Sequence, residues 1–349
     1  MLISSVEEYS GKSGFIMALG EILKEKGYRV GYFKPIGIGR FVEGKLIDED
    51  ARTVAETLKI EDPIERICPV VMDKPYIEFV LSTNSVTIAN EITGAYEEIR
   101  KDKDVVLVEG ALYYEFGRAL GLCDVSFASM LKLNDLMIVK FTDDSVVDRV
   151  LSAKSQFGEK LKAVVFNRVT GYKRSYLESL TKSIFEKNGL EVLGMIPKDP
   201  LLAGVFVSEI ASALGGRFLV EPKEDTIIEQ ILVGAMAPQS ALDYFRRAKN
   251  CAVITGGDRT DLITLALEVP SVKCLILTGN LEPPSIVVGM AEDKGVPMIV
   301  VAEDTLTTVE RAQSVFKRAM IRGKEKIGRM KELIRTFVDL DRLIDIYGL

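Results

Sequence analysis

Histidine is absent from this 349-residue chain, and its absence excludes several kinds of site. Catalytic triads built on histidine, histidine general bases and most transition-metal centres all need an imidazole. A glutaminase centre of the cysteine–histidine type is excluded for the same reason. Any metal bound here should therefore have oxygen ligands, which favours Mg²⁺.

Cysteine is scarce, and long apolar runs are missing. The chain has Cys68, Cys123, Cys251 and Cys274, and no two of them form a CxxC pair. We expect buried free thiols in a reducing, cytoplasmic setting. We expect no signal peptide, no export and no membrane span, since no apolar run approaches ~18 residues.

An excess of positive charge is also missing. The formal net charge is −6, which argues against general binding of nucleic acids or anionic membranes, because both need a basic face. Apolar residues make up 47% and charged residues 28%, which is typical of a globular protein. The length allows two domains.

A phosphate-binding pattern lies near the start of the chain. A short apolar run at residues 2–3 leads into a loop that ends in Ser10, Gly11, Lys12 and Ser13, and an amphipathic helical pattern follows over 14–26. This strand–loop–helix order is the layout of a P-loop. There backbone N–H groups and a helix N-terminus hold phosphates, lysine reaches the β/γ-phosphates and the hydroxyl holds Mg²⁺.

The match departs from the standard pattern at one position. Val6 stands where a glycine is usual, and valine is poor at positive φ, so we expect the loop not to copy the usual backbone. The alternative is an ordinary strand–helix loop with a lysine at the helix start. That alternative is disfavoured because a cation at a helix N-terminus opposes the helix dipole, so Lys12 suggests an anionic partner.

Most of the chain alternates apolar runs with amphipathic stretches, which predicts strands alternating with helices. The nearly continuous apolar runs suit a parallel sheet covered on both faces. The strands predicted for a first domain, expected over residues 1–220, lie at 29–33, 104–109, 136–141, 162–167 and 191–196.

A second, smaller α/β domain is expected over residues 227–322, after a polar linker at 221–226. One of its helices is predicted over 306–322. Residues 323–349 are predicted to form a C-terminal helix with apolar positions at three- and four-residue steps. That stripe must pack on this domain, on the first domain or on a second subunit.

The ordered motifs resemble those of dethiobiotin-synthetase-like P-loop proteins. The segments are 3–13 (ISSVEEYSGKS), 32–37 (YFKPIG), 106–111 (VLVEGA), 163–169 (AVVFNRV) and 196–203 (IPKDPLLA). The arrangement is also similar to the N-terminal, non-catalytic region of long bacterial phosphotransacetylases.

Three later segments resemble the DRTGG domain, which follows the P-loop region in those phosphotransacetylases. They are 256–262 (GGDRTDL), 277–284 (LTGNLEPP) and 302–312 (AEDTLTTVERA). The whole resemblance implies an α/β protein: a parallel-sheet P-loop NTPase-like domain followed by a smaller α/β DRTGG-like domain. The transacetylase domain is expected to have no counterpart in these residues.

The resemblance implies that the first domain binds ATP and Mg²⁺. The implied nucleotide-binding residues are Ser10, Gly11, Lys12, Ser13 and Asn167. The implied metal-binding residues are Ser13, Asp50 and Glu109. The implied catalytic residues are Lys12 and Lys34, which would contact phosphate or substrate.

The residues themselves leave alternatives open for some of these roles. Glu109 ends an apolar strand, where a carboxylate is costly without a partner or a ligand. Asp50 could equally cap a helix, and Asn167 could close a strand and start a turn. Lys34 could be an exposed lysine at the rim of the sheet.

Two departures from the dethiobiotin synthetases bear on activity. Ser5 and Val6 replace Gly and Thr in the loop, and residues 109–117 (EGALYYEFG) replace a glycine-rich substrate loop. Leu112, Tyr113 and Tyr114 would fill space that glycines leave open for a small substrate.

The DRTGG-like part offers one candidate anion site, at residues 256–260. There backbone N–H groups, Arg259 and the hydroxyl of Thr260 meet at a strand–helix junction. The more ordinary alternative is a helix cap from Asp258 or Thr260, with Arg259 in an ion pair.

Two function classes remain. One is a regulatory or binding module, in which the P-loop domain senses nucleotide and the DRTGG-like domain forms a homodimer and relays the state to a protein partner. The other is an ATP-dependent ligase or weak NTPase, acting on a small carboxylate or amine with Lys12, Lys34 and Mg²⁺ stabilising the transferring phosphoryl group. A scaffold with a decayed P-loop is a third interpretation, motivated by Val6. The altered loop at 109–117 favours the regulatory class.

Overall fold

The computed structural model describes residues 1–42, 44–317 and 319–349. Its backbone forms two compact units, Met1–Lys198 together with Ile321–Leu349, and Asp199–Met320. The strands of the first unit are β1 (Leu2–Ser4), β2 (Val30–Phe33), β3 (Ile36–Ile38), β4 (Arg40–Val42), β5 (Lys45–Ile47), β6 (Val70–Met72), β7 (Val105–Glu109), β8 (Asp135–Lys140), β9 (Leu161–Val169) and β10 (Glu191–Pro197). Its helices up to residue 198 are α1 (Lys12–Glu25), α2 (Glu49–Thr57), α3 (Ile64–Ile67), α4 (Tyr76–Ser82), α5 (Ser85–Ile99), α6 (Asp124–Met130), α7 (Val146–Phe157) and α8 (Gly171–Lys187).

The central sheet of the first unit has the strand order β10-β9-β8-β1-β7-β2, and each neighbouring pair runs parallel. β1 lies between β7 and β8, with Leu2 opposite Val108 on one side and Asp135 on the other. The chain therefore leaves β1 at a point where the strand order reverses. In open parallel sheets, ligands bind outside the carboxyl ends of the strands at such a point.

Helix α1 is fixed in place by a broad apolar face. Phe15, Ile16, Leu19, Ile22 and Leu23 are all buried. Burial of one such side chain contributes about 1.5–3 kcal/mol, so this face holds the start of the helix firmly below the loop that precedes it.

Between β2 and β7 the chain makes an excursion that the sequence pattern did not predict in full. β3 pairs in parallel with β6, and β4 pairs with β5 as an antiparallel ribbon. These strands are three residues long, too short for a periodicity to identify. They bring the start of α2 next to the end of β2.

The second unit is also an α/β sandwich. Its strands are β11 (Val205–Phe206), β12 (Arg217–Val220), β13 (Ile227–Ile228), β14 (Gln230–Val233), β15 (Cys251–Gly256), β16 (Val272–Thr278) and β17 (Met298–Val300). Its helices are α9 (Pro200–Ala203), α10 (Val207–Leu214), α11 (Pro238–Arg247), α12 (Thr260–Leu267), α13 (Ser285–Lys294) and α14 (Thr305–Lys317). The main sheet has the order β12-β17-β16-β15-β14, parallel except for the antiparallel pair β12–β17.

Each face of that sheet carries its own apolar core. One core joins α11, α12 and α13 to the sheet through residues such as Phe245, Leu262 and Val287. The other joins α10 and α14 to the opposite face through residues such as Ile210 and Ala312. The near-continuous apolar strands β15 and β16 are explained by this double coverage.

The boundaries of the two compact units differ from the domain boundaries predicted from the sequence. The pattern placed a boundary at residue 220, whereas β12, which ends there, pairs with β17 inside the second unit. Residues 221–226 contain no helix or strand, yet they lie within that unit. The helix predicted over 306–322 is α14, which ends at Lys317; residue 318 lies outside the described residues.

The C-terminal segment returns to the first unit as α15 (Lys324–Phe337) and α16 (Leu340–Tyr347), not as one helix. Met330, Leu333 and Ile334 of its predicted apolar stripe are buried, and α15 packs against α1 and β10. The two helices are separated at Val338, which takes an extended conformation and bridges to Gly194 of β10.

The predicted fold class is confirmed: a parallel-sheet P-loop NTPase-like fold is followed by a smaller α/β domain. The predicted strands at 29–33, 104–109, 136–141, 162–167 and 191–196 correspond to β2, β7, β8, β9 and β10. All four cysteines are buried free thiols, as expected. Within the described residues, every helix is too short or too polar to cross a lipid bilayer.

We predict that Gly194→Ala destabilises the first unit. A Cβ at this position would lie 2.1 Å from the carbonyl oxygen of Phe337 and 2.8 Å from Cα of Val338, so the contact with the C-terminal segment must open. We expect a loss of about 1–3 kcal/mol in the free energy of unfolding, measured by urea denaturation. Gly94→Ala is the control, because a Cβ there meets nothing within 4 Å in helix α5 and alanine favours the helix by up to about 1 kcal/mol. Equal stability of the two variants would contradict the prediction.

Candidate functional site

The loop between β1 and α1 turns at Tyr9 and Gly11. Both have left-handed backbone conformations, with φ of 53° at Tyr9 and 94° at Gly11, whereas Val6 does not. Gly11 is the N-cap of α1 and, as a glycine, offers no side-chain cap to the helix. Because the first N–H groups of a helix have no partner within it, α1 presents uncapped donors to the loop.

Lys12 is folded back into this loop. Its Nζ donates to Ser5 Oγ at 2.7 Å and to the carbonyl oxygen of Leu112 at 3.0 Å. Burial lowers the pKa of Lys12, and the charges of Asp124 and Glu109 oppose that effect. The ammonium group therefore has two neutral hydrogen-bond partners in a buried position, which favours exchange of one of them for an anion.

Ser13 and Glu109 meet at the start of α1. Ser13 Oγ donates to Glu109 Oε1 at 2.7 Å, and Tyr32 Oη donates to Glu109 Oε2 at 2.6 Å. Glu109 ends β7 and is 3% exposed. A carboxylate at that depth is stabilised by such donors, and here each oxygen has one.

Lys34 lies beside two carboxylates near the end of β2. Its Nζ is 2.9 Å from Asp48 Oδ1 and 3.9 Å from Asp50 Oδ2. Burial alone would lower the pKa of Lys34, but the charges of Glu109, Asp48 and Asp50 together raise it. Burial raises the pKa of Asp50 to about 6, although Lys34 opposes the change.

Asp48 organises this corner of the site. It caps α2 by accepting from the N–H of Ala51 at 2.7 Å, and its other oxygen accepts from the N–H of Ile38 at 2.8 Å. With Lys34, it thus ties β2, β3 and α2 together. Because three donors surround its carboxylate, Asp48 has a structural role in the site.

Asp124, the first residue of α6, is fully buried near Lys12. Its Oδ1 accepts from the N–H of Ala111 at 3.0 Å, while Oδ2 has no hydrogen-bond partner among the described residues. A Cβ at Gly110 would lie 2.2 Å from Oδ2, so only glycine fits there. Burial raises the pKa of Asp124 to about 7, with the charge of Lys12 opposing the shift.

Asn167, at the end of β9, supports the loop from the other side. Its Nδ2 donates to the carbonyl oxygen of Ser10 at 2.8 Å, and its Oδ1 accepts from the N–H of Arg168. A Cβ at Gly11 would lie 2.5 Å from Asn167 Nδ2. The hydroxyl of Ser10 is buried without a hydrogen-bond partner in the described part of the chain.

The donor set suits Mg²⁺ better than a metal that needs a full protein cage. The described residues contain no group of three or more cysteine, aspartate or glutamate side chains placed to hold a metal. They do bring the Ser13 hydroxyl to the Glu109 carboxylate. Mg²⁺ keeps several waters and is bound by one or two carboxylates together with phosphates, so these oxygens fit its chemistry.

The structure places the residues singled out from the sequence around the carboxyl ends of β1, β7, β2 and β9. Ser10, Gly11 and Asn167 contact one another, and Ser13 contacts Glu109, while Lys34 and Asp50 form the neighbouring corner. Their roles in binding and catalysis stay predictions.

Sequence reasoning missed four residues that hold this site together. They are Ser5, Tyr32, Asp48 and Asp124. A weak signal existed for Asp48, which directly precedes a helix in a typical capping position. Ser5 lies within the loop itself, where the sequence showed it only as a departure from the dethiobiotin synthetases, whereas Tyr32 and Asp124 reach the site through tertiary contacts that no spacing in the chain indicates.

In the second unit, Arg259 forms the ion pair of the ordinary alternative, without its helix cap. Arg259 Nε is 3.3 Å from Asp261 Oδ1, and Nη2 donates to the carbonyl oxygen of Met236 at 3.2 Å. Arg259 itself occupies the N-cap position of α12, so the expected side-chain cap from Asp258 or Thr260 was wrong, whereas the expected ion pair is present.

Comparison with known protein families places the chain. A family model described as an AAA domain matches residues 1–205, and a DRTGG domain model matches residues 209–315. The chain belongs to this AAA-domain family. The predicted combination of a P-loop domain with a DRTGG domain is confirmed.

The curated relatives agree with the two resemblances found in the sequence. A phosphate acetyltransferase from Synechocystis is 23% identical over 99% of this chain and 51% of its own length. A dethiobiotin synthetase from Methanococcus vannielii is 26% identical over 56% of this chain and 92% of its own length. A dethiobiotin synthetase from Caldicellulosiruptor saccharolyticus is 35% identical over 29% of this chain and 42% of its own length. The chain spans about half the length of the phosphate acetyltransferases that it matches.

We predict that Asp124→Asn stabilises the protein at alkaline pH. The pKa of Asp124 is about 7 in the folded state, against about 3.9 in an unfolded chain, so the folded state keeps a proton that the unfolded chain has released. The stability from this group is full below about pH 4 and is lost as the pH rises through about 7. At pH 8 the variant should be more stable than wild type by about 1–3 kcal/mol, and near pH 4 the gain should vanish.

Urea denaturation at both pH values measures the difference. Asp104→Asn is the control, because hydrogen bonds from Arg29 lower the pKa of Asp104 to about 2, so its contribution has the opposite sign. It is present above about pH 4 and lost as the pH falls through about 2. A gain for Asp124→Asn that is the same at pH 4 and pH 8 would show that the carboxyl is not held protonated by the fold.

Proposed function

We propose that the first unit binds ATP with Mg²⁺ at the uncapped start of α1 and acts as a nucleotide-sensing module. The observation that carries the proposal is the hydrogen bond of 2.7 Å from the Ser13 hydroxyl to the Glu109 carboxylate. Ser13 directly follows the buried Lys12 in the chain. It supports a metal-bound phosphate because a hydroxyl, a carboxylate, a lysine and uncapped N–H groups converge at one helix start.

Each residue has a defined part in this proposal. The N–H groups at the start of α1 hold phosphate oxygens, and Lys12 turns its ammonium group from the Leu112 carbonyl to the phosphates. Ser13 and Glu109 hold the cation, and Asn167 keeps the loop in shape through Ser10. A bound Mg²⁺ supplies charge neutralisation for the phosphates.

Sensing is supported by the links between the P-loop and residues 110–117. Lys12 contacts the Leu112 carbonyl, and the N–H of Tyr114 donates to the carbonyl oxygen of Ser5 at 2.8 Å. A phosphate that attracts Lys12 removes the charged donor from Leu112. The segment 110–117 then loses one of its hydrogen bonds to the P-loop. Nucleotide binding is thereby linked to a change in this neighbouring loop.

A ligase acting by the dethiobiotin-synthetase mechanism is the second candidate. It is favoured by Lys34, which lies buried at the same edge of the sheet as Glu109 and keeps its positive charge. It is disfavoured by the pairing of Lys34 with Asp48, 2.9 Å away, since an ammonium group already matched by a buried carboxylate is less available to a substrate. We therefore propose the sensing role.

We predict that Lys12→Met weakens binding of ATP with Mg²⁺ by about 10–100-fold, because a charge-assisted contact worth about 1.5–3 kcal/mol is lost. Methionine keeps the apolar stem of the buried side chain. Isothermal titration calorimetry measures the affinity. Lys24→Met is the control, since Lys24 lies in the same helix and donates to the carbonyl oxygen of Leu58, away from the loop. No binding to wild type, or equal binding to both variants, would refute the proposed site.

Turnover separates the two candidate functions. With Mg²⁺ and ATP in excess, the sensing role predicts little or no release of phosphate, and no stimulation by small carboxylates or amines. Phosphate release is measured by a coupled assay over a panel of such compounds, with Lys12→Met as the background. Robust release that depends on one of the compounds and on Lys34 would instead support the ligase.

A further inference from the structure

Tyr32 is a buried tyrosine whose hydroxyl points at the candidate metal site. It lies in β2, is fully buried, and donates from Oη to Glu109 Oε2 at 2.6 Å. Neither the P-loop pattern nor the motif around Lys34 gives this hydroxyl a task. A buried tyrosine needs a partner for its hydroxyl, and here that partner is the carboxylate of the candidate metal site.

The sheet holds both ends of this contact rigidly. β2 pairs in parallel with β7, with Tyr32 opposite Leu107 and Phe33 opposite Val108. Glu109 follows directly at the end of β7, so the tyrosine ring reaches it from the adjacent strand. The phenol therefore donates to Glu109 from a fixed position.

The two oxygens of Glu109 thereby have different surroundings. Oε2 is anchored by the rigid phenol, whereas Oε1 faces Ser13 at 2.7 Å at the helix start. Without the phenol, Oε2 would be buried without that donor, and the carboxylate could rotate toward Lys34, whose charge acts on it.

We propose that Tyr32 is a positioning residue that holds Glu109 with one oxygen directed to Mg²⁺, an inference that rests on the proposed function. Donors behind a metal-binding carboxylate fix its orientation and basicity, and their loss costs about 10–100-fold in metal affinity. If Tyr32 only filled the core, its hydroxyl would affect the stability of the fold but not the Mg²⁺ concentration that ATP binding requires.

The test is Tyr32→Phe, which keeps the ring and removes the hydroxyl. ATP binding is measured by calorimetry over a series of Mg²⁺ concentrations and in EDTA. We expect the Mg²⁺ concentration at half-maximal binding to rise at least ~10-fold, with binding in EDTA unchanged. The control is Tyr96→Phe, because Tyr96 is a buried tyrosine whose ring packs edge-on against Phe33, the neighbour of Tyr32. It should leave the Mg²⁺ dependence as in wild type.

A second background tests whether Tyr32 acts through Glu109. In Glu109→Gln, adding Tyr32→Phe should change the Mg²⁺ dependence much less than it does in wild type. An unchanged Mg²⁺ dependence in Tyr32→Phe, or an equal effect in both backgrounds, would overturn the inference while leaving the nucleotide site intact. Absence of ATP binding to wild type at every Mg²⁺ concentration would refute the proposed function and the inference with it. Thermal melts confirm that each variant is folded before it is titrated.

Discussion

Burial of charge at one edge of the first sheet is the constraint on which the site depends. Lys12, Lys34, Asp48, Glu109 and Asp124 are each at most 8% exposed. Such groups cost several kcal/mol unless they are paired or hydrogen-bonded, so each needs a specific partner to be tolerated there. Each has one, although the second oxygen of Asp124 has none among the described residues. Burial of so many charged groups at one edge is the physical basis of the nucleotide site that we propose there.

The two buried lysines resolve this constraint in opposite ways. For Lys12 burial dominates and the pKa falls, whereas for Lys34 the surrounding carboxylates dominate and the pKa rises. Lys12 has neutral partners, a hydroxyl and a carbonyl, and so gains most from an anion. Lys34 already has Asp48 at 2.9 Å. The electrostatics thus separate Lys12, whose proposed partner is a phosphate, from Lys34, which is already paired with a carboxylate.

The sequence predicted the features of the fold and site that depend on residues adjacent in the chain, and few of those that depend on tertiary contacts. The loop from Ser10 to Ser13 and the strand that ends in Glu109 were recognisable because a helix start and an apolar run are properties of adjacent residues. Tyr32 and Asp124 were not, because they reach the site through strand pairing and a distant helix start. The same limit applies to the C-terminal segment. An amphipathic stripe predicts that a helix packs on another surface, but it does not identify that surface. The choice of α1 as that surface is decided by the whole fold.

Val6 raised the possibility that the P-loop had decayed, and the loop geometry removes the reason for that concern. The left-handed conformation at the helix start falls at Gly11, where the chain has glycine. No other residue would fit, because a Cβ there would collide with Asn167, whose amide holds the Ser10 carbonyl. The second left-handed residue is Tyr9, a non-glycine position that costs about 1–2 kcal/mol. Backbone strain of that size persists only where the surroundings impose it, and here it lies directly before the segment that we propose to bind phosphate. The loop therefore reaches a strained, ordered shape by a different route from the usual glycine-rich one.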